Sequence, residues 1–209
     1  TEGPDGEQDC TPSTIGMNMI YASAIGTDPL ELPSDVGIHI PAGQQLHLNL
    51  HLYNPSDETL SGESAIWIQA SSTPPPTLAE MVLAGPLDIS IPNDNKPHEV
   101  SSECTARHDY SLFAVWPHMH ALGTAQKVEL VNGSSTQVLH DKAFNVDDQS
   151  YDLVRPSASV REGDKVRVTC TYVNGTSQPV VFGDNAGNEM CFAGLYRYPA
   201  VGSDELCLD

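Results

Sequence analysis

The sequence predicts an all-β protein built as an antiparallel sandwich, and three observations predict it. Apolar residues alternate with polar ones at period two in several runs, Asn-Gly turn dipeptides separate those runs, and helical periodicity is nearly absent. The chain has 209 residues, of which 39% are hydrophobic. That length suits one large all-β domain or two small ones, with enough apolar content for a core.

Taken in order, Gln45 to Leu52 places leucines on one face and His47, Asn49 and His51 on the other, the pattern of a half-buried strand. Pro74-Pro75-Pro76 favours polyproline II and cannot continue a ladder. This puts a domain boundary near residue 75, with residues 1–75 and 76–209 on its two sides. Thr77 to Leu83 allows one helical turn. Ser111 to Pro117 reads as a strand ending at its proline. Lys127 to His140 reads as a hairpin around Asn132-Gly133. Lys165 to Phe182 reads as another around Asn174-Gly175, since Asn-Gly suits a type I′ turn. Both dipeptides also open N-x-S/T sequons, which could carry glycans in a eukaryotic secretory protein.

Nine Lys and Arg stand against 28 Asp and Glu, a formal charge of −19. Nucleic acid and anionic membrane surfaces are excluded as partners, because their phosphates would be repelled. No apolar run approaches the ~18 residues of a membrane span. The first residues, Thr1 to Glu7, are polar and lack a signal-peptide core. Five cysteines without a C-x-x-C pair favour disulfides in an oxidising compartment over a zinc or redox site. Their odd number leaves one free or paired outside this chain.

The sharpest chemical feature is His118-Met119-His120. Two histidines at i and i+2 of an extended strand share a face, with Cα atoms ~7 Å apart, so two imidazoles can meet one metal ion. The same spacing also fits two hydrogen-bonded surface histidines. Gly123, closing His118 to Gly123, permits a turn or a close backbone approach. Asn188-Glu189-Met190-Cys191 offers a thioether. A lone methionine usually packs in a core, but imidazole plus thioether is a donor set suited to copper, especially Cu(I). His47 and His51 are ~13 Å apart at strand rise and cannot share an ion. His39, His98, His108 and His140 have no distinguishing spacing and are read as structural or solvated. No G-x-S-x-G, P-loop or G-x-G-x-x-G motif occurs.

These residues, in this order, resemble the copper type II, ascorbate-dependent monooxygenases, the group of peptidylglycine α-hydroxylating monooxygenase and dopamine β-monooxygenase. Cys10-Thr11, Ile20-Tyr21-Ala22 and Leu32 to Gly37 resemble the latter part of the family's first domain. Leu50 to Pro55 resembles the segment bearing the third histidine of the first copper site. His118-Met119-His120-Ala121-Leu122-Gly123 resembles the H-T-H-x-L-G motif of the second site. Glu189-Met190-Cys191 resembles the motif supplying that site's methionine. The resemblance implies a jelly-roll type β-sandwich over 76–209, preceded by the C-terminal part of a second sandwich over 1–75. It implies a catalytic copper held by His118, His120 and Met190, with His51 a ligand of the first site. It also implies disulfides Cys104–Cys207 and Cys170–Cys191, leaving Cys10 unpaired.

The implied activity is C–H hydroxylation of a small molecule with O2, copper and ascorbate, in a secreted or periplasmic setting. The chain has no histidine before His39, so the reading expects an upstream copper domain to complete the first site. Trp116 stands where the peptide-amidating member has an arginine for the peptide carboxylate, and Gly194 where it has a tyrosine, which argues against peptide amidation. A copper-binding module without turnover and a purely structural sandwich are the rival readings.

Overall fold

The computed structural model describes residues 18–23, 27–50, 54, 56–202 and, as backbone, 207–208. Among them there is no helix. The strands are β1 (Val36–Ile38), β2 (Thr77–Gly85), β3 (Ser90–Ile91), β4 (Pro97–Thr105), β5 (Tyr110–Met119) and β6 (Gly123–Asn132). They continue with β7 (Ser135–Ala143), β8 (Asp152–Val160), β9 (Lys165–Val173), β10 (Val180–Val181), β11 (Cys191–Tyr198) and β12 (Cys207–Leu208). One sheet runs β1-β2-β11-β5-β8 with β12 beside β2; a second runs β4-β9-β6-β7; β3 and β10 form a small third.

The architecture is a β-sandwich, and alternation explains its core. Val128, Leu130, Val166, Val168, Cys170 and Tyr172 point from the second sheet toward Val82, Ala84, Leu112, Val115, Met119, Ala193 and Leu195 of the first. The opposite face of the first sheet is also covered. There Ala79, Met81, Phe113, Ala114, Trp116 and Tyr196 cluster, with Ala22, Leu30, Val36 and Ile38 packed over them. A central sheet buried on both faces loses simple alternation. That is why Thr77–Leu83 suggested a helical turn while the structure makes it strand β2, paired to β11 and, in parallel, to β1.

Other elements depart from the sequence reading. The alternating leucines do not form a strand among the described residues 45–50: Leu46, Leu48 and Leu50 are exposed, and no neighbouring strand offers them a ladder. Strand β5 runs through Pro117 to Met119. Its pairing with β8 ends at Val115, so the missing N–H falls where β5 has a partner only in β11. The β6–β7 connection is Gly133-Ser134, one residue later than expected, with Gly133 at φ 55°. Strand β10 pairs with β3 and not with β9. Asn174 explains this, because its side chain is buried and tied both to β3 and to its own loop. Its amide donates to Ile91 O and Gln178 O, and its Oδ1 accepts from the Thr176 amide and hydroxyl.

The end of β11 far from Met190 holds a buried ion pair. Arg197 is 2% exposed; its Nε donates to Glu80 Oε1 at 2.9 Å, and the guanidinium lies 4.8 Å from the Tyr110 ring centroid. Glu80 also accepts the backbone N–H groups of Val201 and Gly202.

Candidate metal centre

Strand β5 delivers His118 one residue before its end, and His120 opens the turn that follows. Gly123 closes that turn by donating its N–H to His120 O at 3.2 Å. A Cβ on Gly123 would stand 2.7–3.1 Å from Met119 side-chain atoms, so the close approach demands glycine. Cross-strand register places His118 opposite Phe192 and Met119 opposite Cys191. Met119 and Cys191 point into the core, and His118 and Phe192 therefore point to the other face. Met190 immediately precedes β11, and His120 immediately follows β5.

The two imidazole rings lie edge to face, with centroids 5.5 Å apart and planes at 80°. Each is fixed through Nδ1. His120 Nδ1 is 2.9 Å from the Asn188 carbonyl, which can only accept, so this nitrogen carries the proton. His118 Nδ1 is 2.8 Å from Gln149 Oε1, and the Gln149 amide nitrogen donates to Val146 O, which orients the oxygen toward the ring. His118 Nδ1 is thereby also the donor. In this tautomer each ring carries its lone pair at Nε2, the form in which histidine ligates a metal. The Trp116 ring stacks on His118, with centroids 4.9 Å apart and planes at 15°.

The segment 188–191 is tied at every residue. Asn188 O holds the His120 ring. The Glu189 carboxylate accepts His120 N–H at 2.9 Å and Leu122 N–H at 2.7 Å. Met190 O accepts the Tyr172 hydroxyl at 2.8 Å. Cys191 is disulfide-bonded to Cys170, joining β11 to β9 across the two sheets. Burial pushes the Glu189 carboxyl up, while the Leu122 and His120 amides pull it back down. Burial also raises the Tyr172 phenol far above its ordinary value, as does the Glu189 charge, so it remains a donor.

The structure thus brings His118, His120 and the Met190 backbone together, with Met190 half-buried. His51 and Cys10 lie outside the described residues. Cys104 is in a disulfide; the side chain of Cys207, its expected partner, lies outside the described residues, although the β12 backbone runs beside β2 and near β4, which carries Cys104. His140 is buried against Asp152 and His98 bonds Asp94, both as structural contacts. Among the described residues no three His, Cys, Asp or Glu side chains group closely enough to hold a metal. Sequence reasoning gave no role to Gln149, Glu189 or the Asn188 carbonyl. The position of Glu189 beside Met190 was the one available signal.

Fold and geometry together define a class: an all-β sandwich with a tautomer-fixed histidine pair on an outer sheet face, beside a methionine segment stapled by a disulfide. The family model for the copper type II ascorbate-dependent monooxygenase, C-terminal domain, matches residues 77–209, more than half of the chain. The chain belongs to the copper type II ascorbate-dependent monooxygenases. Among solved structures, a chain in the structure of infectious bursal disease virus Gx strain is similar at 10% identity, covering 69% of this chain and 40% of that chain with a TM-score of 0.28. So loose a likeness carries no argument. The two imidazoles, each with Nδ1 held by an acceptor, are a donor pair that suits the family's metal.

Proposed function

We propose that the chain is a copper-dependent monooxygenase hydroxylating C–H bonds of a small molecule with O2 and a reductant such as ascorbate, within a longer two-copper enzyme. His118, His120 and Met190 would hold the catalytic copper. Bound there, copper would supply O2 activation by cycling between its two oxidation states. The observation that carries the reading is the pair of committed Nδ1–H groups, which leaves Nε2 as the ligating atom on two rings 5.5 Å apart.

The residues around the site support it. Gln149 and the Asn188 carbonyl hold the tautomers, and Trp116 holds the plane of His118. Three neutral donors leave the ion's charge uncompensated and so favour the monovalent state. Trp116 faces Gly194 across β5 and β11, so an apolar ring fills this position and no cation stands there to hold a peptide carboxylate. Residues 1–75 belong in this reading to a first copper domain, with His51 its ligand. The exposed leucines 46, 48 and 50 fit a strand whose neighbours come from elsewhere in that domain. The Cys170–Cys191 disulfide supports an oxidising, secreted setting, and in this reading Cys207 is the partner of the disulfide-bonded Cys104.

Anaerobic Cu(I) titration of the full chain tests the site. His118→Ala and Met190→Ile should each weaken binding at least tenfold; unchanged affinity in both would overturn it. Copper bound without ascorbate-dependent O2 consumption in the presence of the upstream domain would assign the chain to the non-catalytic module instead.

A further inference from the structure

One buried acid beside the ligands has a geometry that the ligand set does not account for. Glu189 is 1% exposed. Its two carboxylate oxygens take two backbone N–H groups from across the fold, those of His120 and Leu122. Its own backbone is equally fixed. The Glu189 N–H donates to Val181 O at 3.1 Å, its carbonyl accepts from Gly183 N at 3.2 Å, and it forms a bridge with Phe182. The acid therefore joins two short stretches of chain: one carries His120, the other Met190.

We propose that Glu189 is a positioning residue of the metal site, its carboxylate clamping the His120 turn onto the Met190 segment so that imidazole and thioether sit in one preset frame. The inference rests on the copper reading above and adds a role for a residue outside the ligand set.

His118 is held by strand β5 itself, but His120 lies beyond the last residue of that strand. Its backbone position depends on the turn, and one of the hydrogen bonds fixing the turn is its own N–H to Glu189. The opposite side of its ring is held by Asn188 O, from the residue next to Glu189. Ring and backbone of His120 are thus both referenced to the segment that bears Met190. Only a carboxylate can accept at both oxygens; an amide of the same shape presents one acceptor and one NH2, which would face a backbone N–H. Hydrogen-bond partners of this kind, one step from the metal, are worth 10–100-fold in metal affinity.

The experiment compares Glu189→Gln with Glu80→Gln in the full chain. Glu80 likewise takes two backbone N–H groups but stands at the far end of β11, beside Arg197. Cu(I) affinity is read by anaerobic competition with a chromophoric chelator, and methionine ligation by the copper–sulfur signal in X-ray absorption. Glu189→Gln should weaken Cu(I) 10–100-fold and diminish the sulfur signal, while Glu80→Gln lowers the melting temperature and leaves affinity within twofold. Affinity within twofold in Glu189→Gln, or an equal loss in Glu80→Gln, overturns the proposal and leaves the copper reading standing. No Cu(I) binding by the unaltered chain, or none lost in His118→Ala, overturns both. If Glu189→Gln does not fold, Glu189→Asp, which keeps the charge but shortens the reach, should show the same loss.

Discussion

Glu80 and Glu189 stand at opposite ends of strand β11, and each gathers two backbone N–H groups onto its carboxylate, half-buried at Glu80 and buried at Glu189. At the Glu80 end a guanidinium completes the arrangement: Arg197 bonds the acid and rests over Tyr110. At the Glu189 end the partners of the carboxylate among the described residues are amides, and the neighbouring side chains are imidazoles. The same local device therefore does two things. With its own cation it is a closed structural joint; without one it sits beside the histidine pair proposed above to hold copper.

The contrast can be broken most forcefully at the closed end. Arg197→Met removes the cation from a buried pair and should cost about 3–5 kcal/mol, read from the denaturant midpoint. It should leave Cu(I) affinity within twofold; a parallel loss of affinity would show that the two ends are not independent. A middle-sized effect is expected at the turn. Gly123→Ala places a methyl group against Met119 and should cost about 1–3 kcal/mol by overpacking. Because the turn carries His120, copper binding should weaken with it, which a Cu(I) competition assay would detect. The smallest effect lies away from both ends, at Asp152. Burial pushes its carboxyl up, but hydrogen bonds from His140 and Lys142 outweigh burial and hold it below its ordinary value. Such a group stabilises fully above its unfolded value, near ~3.9, and loses that contribution as pH falls through the lower folded value. The stability gap between the unaltered chain and Asp152→Asn should therefore be widest near neutrality and narrow toward pH ~3 in urea titrations. A gap that stays constant with pH would refute this.

The strand content was legible where one face is buried and the other wet, as in Lys165–Val173, whose burial alternates along its length. It was not legible in Thr77–Gly85, because the N-terminal segment and the aromatic cluster cover its second face and remove the alternation. The dipeptide at Asn174 misled for a different reason: its side chain donates to Ile91 O, 83 residues away, a contact that no local pattern encodes. At the site, the histidine pair and the methionine stand out by residue type and spacing. The groups that orient them do not. Gln149 meets His118 from 31 residues away, and Glu189 meets His120 from 69, so their roles exist only after the chain has folded.

The stack of Trp116 on His118 has a practical consequence. The chain has two tryptophans; Trp67 is 96% exposed, whereas Trp116 is buried against an imidazole of the site. With Trp67 replaced by phenylalanine, the remaining indole emission comes from a single fluorophore stacked on His118. If the proposed copper site is right, a quenching ion arriving at His118 would then be reported optically without any added dye.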